Sequence, residues 1–139
     1  MVYEDQGPPF VLKAGDCLIQ PPRIRHRVLE SSANLEVIEV STKAQHLTTM
    51  DHEMELPTGV VRTDRDFSGQ RFCRSEADQA IWTRGELPGF ETRETGIGAA
   101  TGGLASVHIV RATGRPSEAW TTDTAGILFC FIRSGHMTL

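Results

Sequence analysis

Long apolar runs are missing from this 139-residue chain, and no stretch approaches the roughly 20 apolar residues needed to span a bilayer. Apolar residues also do not recur at helical spacing over several turns, which argues against a helical bundle. An excess of positive charge is absent too. Fourteen Lys and Arg stand against 18 Asp and Glu, for a net charge of −4. That balance excludes a general affinity for nucleic acid or an anionic membrane. Cysteine is scarce: Cys17, Cys73 and Cys130 are an odd number without close pairing, which argues against a disulfide or zinc framework. Cys17 and Cys130 lie in apolar, strand-like runs and read as buried free thiols. No G-x-S-x-G elbow points to a serine hydrolase. The opening Met1-Val2-Tyr3-Glu4-Asp5 lacks the basic and apolar regions of a secretion signal, so a cytoplasmic location is expected.

What remains is a chain with 39% apolar and 23% charged residues, ordinary for a globular domain, cut into short pieces by 13 glycines and seven prolines. Short pieces favour sheet over helix. Strands are predicted at 10–13, 17–20, 26–30, 35–41, 104–111, 127–133 and from 136 onward. Ala14-Gly15-Asp16 is a tight turn, because glycine accepts positive φ, and Pro21-Pro22 ends a strand by removing two amide donors. Residues 35–40 alternate, and 127–132 are almost continuously apolar; both are expected in the core. Residues 43–86 are polar and largely without period. One short helix is predicted within 74–83, with Ser75 as N-cap and Asp78 in its first turn. His46 and His52 in this region are lone histidines without a neighbouring ligand at metal-binding spacing. Gly96-Ile97-Gly98-Ala99-Ala100-Thr101 has too few glycines for a phosphate loop, and neither a preceding buried strand nor a following helix is predicted beside it.

Gly15, Pro21 and His26 fall at the spacing of a known pattern: a glycine, five residues, a proline, one residue, usually a second glycine, two residues, then a histidine. Here Arg23 stands at the second glycine and Glu30 at the usual terminal asparagine. The stretch resembles the second conserved motif of the cupin superfamily. Trp120 through Gly135 resembles the first cupin motif, with Thr121 and Asp123 at its two histidine positions and Leu128 at its carboxylate or amide position. Residues 90–112 resemble the lead-in of single-barrel bacterial cupins. The resemblance covers about residues 1–47 and 85–139.

The resemblance implies an all-β fold, a cupin jelly-roll β-barrel or double-stranded β-helix, carrying a polar linker or arm and one short helix. Residues 1–47 would be the C-terminal part of a barrel, 48–84 the linker or arm, and 85–139 the N-terminal part of a barrel. The motifs run in reverse order. A piece of a tandem two-cupin protein or a circular permutation explains this, and the piece is the favoured reading.

Alternation points His26 into the barrel and Arg25 and Arg27 outward, and the resemblance makes His26 the candidate metal ligand. Asp123 is its one natural partner within the chain. The bland use of His26 is an interior histidine hydrogen-bonded to a neighbour. Arg23, Arg25 and Arg27 form a basic cluster suited to a carboxylate or phosphate, although alternating arginines more often make a solvated edge. Glu39 is a candidate buried acid, or else a strand-end partner of an arginine. The chain alone is expected to hold no metal tightly; Fe, Mn, Ni or Zn would require ligands from a longer parent. Three functions follow from the resemblance: a small-molecule-binding barrel, a structural barrel with a degenerate metal site, and, as the alternative, a metal-dependent dioxygenase or isomerase acting on a small organic acid or sugar derivative. The expected partner is a second copy or a second cupin barrel.

Overall fold

The computed structural model describes residues 1–42, 48–114 and 122–137. Among these it holds seven strands: β1 (Val2–Tyr3), β2 (Cys17–Ile19), β3 (His26–Arg27), β4 (Cys73–Ser75), β5 (Thr83–Arg84), β6 (Phe90–Glu94) and β7 (His108–Ala112). One α-helical turn, α1 (Ile97–Ala100), and a 3-10 turn, Ala77–Gln79, complete the regular structure. The fold is therefore mostly strand. It consists of three small antiparallel sheets, β1-β3, β2-β4 and β5-β6-β7, and no sheet closes into a barrel among the described residues. None of the helices there is long and apolar enough to cross a membrane.

Two turns set this arrangement, and each has a left-handed residue at its third position. In the first, the Asp16 amide donates to the Lys13 carbonyl at 3.0 Å, with Gly15 at φ +95°. In the second, the Ile24 amide donates to the Pro21 carbonyl at 3.2 Å, with Arg23 at φ +66°. Positive φ at the third position belongs to type II turns, where glycine is preferred and proline is common just before it. The first turn delivers the chain into β2 and the second into β3. Asp16 reinforces the first: one carboxylate oxygen accepts from the Lys13 amide and the other from the Ala77 amide.

The core is small and largely aromatic. Tyr3 is 1% exposed and packs with Ile24 and Phe67, with Phe10 and Phe72 partly buried beside them. The Tyr3 ring stacks on Phe10 at 5.8 Å and is tilted against Phe72 at 4.7 Å, geometries worth about 0.5–1.5 kcal/mol each beyond burial. Gln20 Nε2 donates to the Tyr3 hydroxyl at 2.7 Å. Burial, set against that hydrogen bond and reinforced by the charge of Glu39, pushes the Tyr3 phenol up.

The polar middle is an integral part of this packing. Phe67 and Phe72 enter the core, β4 pairs with β2, and β5 pairs with β6.

Several sequence expectations do not hold. Residues 35–40 and 127–133 form no strand, and Val37 and Ile127 are 73% and 86% exposed. Alternation marks a face able to be buried, but ladder partners must come from elsewhere, and the described residues offer none. Residues 10–13 form no strand either; Phe10 exchanges backbone hydrogen bonds with Met1 instead. The strands at 26–30 and 104–111 shrink to β3 and β7, and 136–137 are not strand. The short helix is the 3-10 turn, with Glu76 rather than Ser75 at its N-cap position and no side-chain capping bond; Ser75 is used in β4, although Asp78 does sit in the first turn. A helical turn, α1, does follow Gly96, and β6 precedes it. Cys130 is exposed and Cys17 only half-buried.

Replacing Arg23 by glycine is expected to raise stability by about 1 kcal/mol, since a side chain at positive φ costs about 1–2 kcal/mol that glycine avoids. Gly15→Ala is expected to lose at least as much, because its Cβ would also stand 3.2 Å from both Ala77 Cβ and an Arg133 nitrogen. Urea unfolding midpoints of the two variants should move in opposite directions.

Candidate functional site around His26

Pairing of β1 with β3 sets Tyr3 opposite His26 and Val2 opposite Arg27. Opposed residues of an antiparallel pair share a face, so the His26 imidazole lies over the Tyr3 ring, with centroids 5.3 Å apart and planes at 16°. Tyr3 is buried and His26 is exposed. His26 therefore covers the outer side of the aromatic core rather than pointing into a barrel. The inward orientation expected from alternation is not found: in the Tyr3–His26 stack Tyr3 takes the buried side and His26 the exposed one.

The residues that follow Tyr3 build the most organised cluster beside this pair. Glu4 and Asp5 are both carboxylates and both buried, at 4% and 3% exposure. Buried carboxylates need cations and hydrogen bonds. Arg65 Nη1 bridges them, ion-paired with Glu4 and 2.9 Å from Asp5 Oδ2. Arg62 makes a two-nitrogen contact with Asp5 Oδ2, its Nε at 2.9 Å. The Thr58 hydroxyl stands 3.0 Å from Asp5 Oδ1 and accepts from the Asp5 amide at 2.8 Å. The Arg62 amide donates to the Asp5 carbonyl at 2.8 Å, and the Arg65 guanidinium also lies over the Phe67 ring at 4.5 Å.

Arg25 joins this network from β3's side. Its amide donates to Glu4 Oε2 at 3.3 Å and its Nη1 stands 3.6 Å from the same oxygen. Its Nε pairs with Asp51, whose other oxygen accepts the Glu53 and Met54 amides. The Glu53 amide, then Arg25, hold the Asp51 carboxyl below its ordinary range.

Of the candidates from sequence, then, the structure brings His26 beside Tyr3 and Arg25 beside Glu4. Arg23 shapes the turn before them, and Arg27 lies exposed opposite Val2. Neither Arg23 nor Arg27 makes an ion pair among the described residues. Asp123 is exposed and accepts the Ala125 amide, capping its own loop. His108 pairs with Glu94 across β6 and β7 at 2.6 Å. His46, Trp120, Thr121 and Leu139 lie outside the described residues. Among those described, no group of three or more His, Cys, Asp or Glu could hold a metal ion. A shallow recess of about 410 Å³ opens beside the core between Phe10, Phe72, Thr63 and Arg74, whose guanidinium already stacks on Phe10 and pairs with Glu76.

Sequence reasoning missed Glu4, Asp5, Arg62 and Arg65. Only the adjacency of two acids to the apolar Val2-Tyr3 hinted at buried charge, and nothing in the spacing named their partners. Comparison of the chain with protein families, curated proteins and solved structures found no match.

Removing the bridging cation should be the most damaging change in this cluster. Arg65→Met is expected to cost about 2–3 kcal/mol, because two buried carboxylates lose a partner, and Arg62→Met less, because that guanidinium is more exposed. Urea titration at neutral pH reads both.

The same cluster predicts acid sensitivity. Burial raises the Asp5 carboxyl, but hydrogen bonds from Arg62, Thr58 and Arg65 outweigh it and hold the group below its usual value. A depressed folded value stabilises the fold above the unfolded pKa of about 3.9, and that contribution is lost as pH falls through the folded value. Stability should therefore fall with acidification below about pH 4. In Asp5→Asn this segment of the pH profile should flatten.

Proposed function

We propose that the chain is cupin-type barrel material that works by assembly, as a small-molecule-binding or structural module without metal chemistry of its own. The observation that carries this reading is its unburied apolar surface. The chain exposes 11382 Å², against about 7100 Å² for a compact monomer of its 15.3 kDa mass. Leu35, Val37, Ile38 and Val40 are all more than half exposed, as are Ile127, Leu128, Phe129 and Phe131. Exposed apolar stretches of strand-like pattern mark interaction surfaces.

The cupin resemblance draws support from the backbone. Both glycine positions of the motif, Gly15 and Arg23, take the left-handed conformation that the motif's glycines would serve. The reversed motif order suggests what covers the apolar segments. Residues 85–139 of one copy and 1–47 of another carry complementary halves of a barrel, so two copies exchanging halves complete two barrels around a twofold axis. His26, stacked on Tyr3, serves packing in this arrangement.

Sedimentation equilibrium at micromolar concentration is expected to give twice the chain mass. Phe129→Asp, a change at a position 58% exposed in the single chain, should leave the monomer folded and weaken the dimer at least tenfold. A wild-type chain that stays monomeric and folded would rule the assembly out.

A further inference from the structure

β2 and β4 set Cys17 opposite Ser75 and Cys73 opposite Ile19. Alternation places all four side chains on one face, so the two thiols are diagonal neighbours across the ladder. Arg93 of β6 reaches that face. Arg93 Nη2 stands 3.6 Å from Cys17 Sγ and 3.4 Å from Ser75 Oγ, and the Cys73 thiol donates to the Thr95 carbonyl at 3.4 Å. Both cysteines are half-buried and free.

Arg93 is the unusual member of this group. It is 3% exposed, Nη2 donates to the Gly15 carbonyl at 3.0 Å, and Nε is buried without any hydrogen-bond partner. No carboxylate pairs with it among the described residues. A buried guanidinium without an anion is costly to keep. The same Nη2 also lies within reach of the Cys17 sulfur, and reactive cysteines occupy such electropositive, partly exposed surroundings.

We propose that Cys17 and Cys73 form a redox-reactive pair that oxidises to a disulfide joining β2 to β4, with Arg93 as the positioning residue that holds positive charge at Cys17. The co-reactant is a low-molecular-weight disulfide. Cys17 sulfur attacks one of its sulfurs, forming a mixed disulfide and releasing one thiolate. Cys73 sulfur then attacks the Cys17 sulfur and releases the second thiolate. The two protein thiols lose two electrons, the co-reactant's S–S bond takes them, and the two thiol protons go to the released thiolates. Burial, and then the nearness of Cys17, push the Cys73 thiol up, in keeping with its acting second. Diagonal neighbours stand about 7–8 Å apart at Cα, slightly beyond the usual disulfide span of about 4.4–6.8 Å. Because the paired strands already stand at hydrogen-bonding distance, closing the bond requires backbone movement that shortens the diagonal, and a disulfide under such strain is readily reduced again, as a reversible switch requires.

The test uses the full chain with Cys130→Ser, which removes the exposed third thiol, treated with oxidised glutathione, quenched by alkylation and mapped by mass spectrometry without reduction. The expected product is a Cys17–Cys73 cross-link within one chain, reversed by dithiothreitol. Adding Cys73→Ser should instead trap glutathione on Cys17. Arg93→Met should slow modification of Cys17 about three- to tenfold while Arg93→Lys retains most of the rate, a difference in charge that unfolding would not reproduce, since unfolding exposes and speeds the thiol. Recovery of Cys17 and Cys73 as free thiols, or cross-links only between chains, overturns the proposal.

Discussion

Two carboxylates immediately behind the first strand constrain everything built around them. Glu4 and Asp5 follow Tyr3, whose burial drags them out of water. Leaving either without a cation would cost several kcal/mol. The cations come from Arg62 and Arg65, nearly sixty residues along the chain, and from Arg25 just before β3. Once those arginines are in place, the polar segment cannot wander. Thr58 and Arg62 are hydrogen-bonded to Asp5, Phe67 is carried under the Arg65 guanidinium into the core, and Phe72 meets Tyr3. The next residue begins β4, which falls beside β2. The ion-pair cluster and the aromatic core are thus one unit, and neither is complete without the other.

That unit is small for the length of chain it organises. Two-residue strands and two-stranded sheets are marginal in isolation. Much of the apolar complement stays at the surface, concentrated in residues 35–40 and 127–132. Beyond the aromatic cluster the architecture relies on local devices: hydrogen-bonded turns, Asp16 tying a turn to Ala77, and cross-strand pairs such as Glu91 with Arg111 and Glu94 with His108. Such devices fix short segments without supplying a large hydrophobic driving force.

The turns were the most legible feature of the sequence. Gly15 between Ala14 and Asp16, and Pro21-Pro22 before Arg23, carry backbone preferences that act over three or four residues and need no distant partner. The strand at 17–20 was legible for a related reason, being bounded on both sides by such breakers. The segments 35–40 and 127–133 have equally clear patterns, yet they are not strands in the single chain. Their patterns describe what they could bury, and burial depends on a surface that the pattern does not contain. His26 was singled out as a candidate metal ligand; in the structure it lies opposite Tyr3 and stacks on its ring. Asp123, placed beside it by the cupin resemblance, caps its own loop.

By itself, then, the sequence determined the mostly-strand class, the left-handed turn at Gly15, the strand end at Pro21-Pro22 and the want of any long apolar run. These follow from backbone sterics and from local apolar content. Only the tertiary structure decided which charges are buried and which are solvated, that Arg93 lies beside Cys17, and that the polar middle is part of the core packing. The physical reason is that ion pairing and packing depend on separation in space. Asp5 and Arg62, or Cys17 and Arg93, are strangers along the chain until the turns and sheets bring them together.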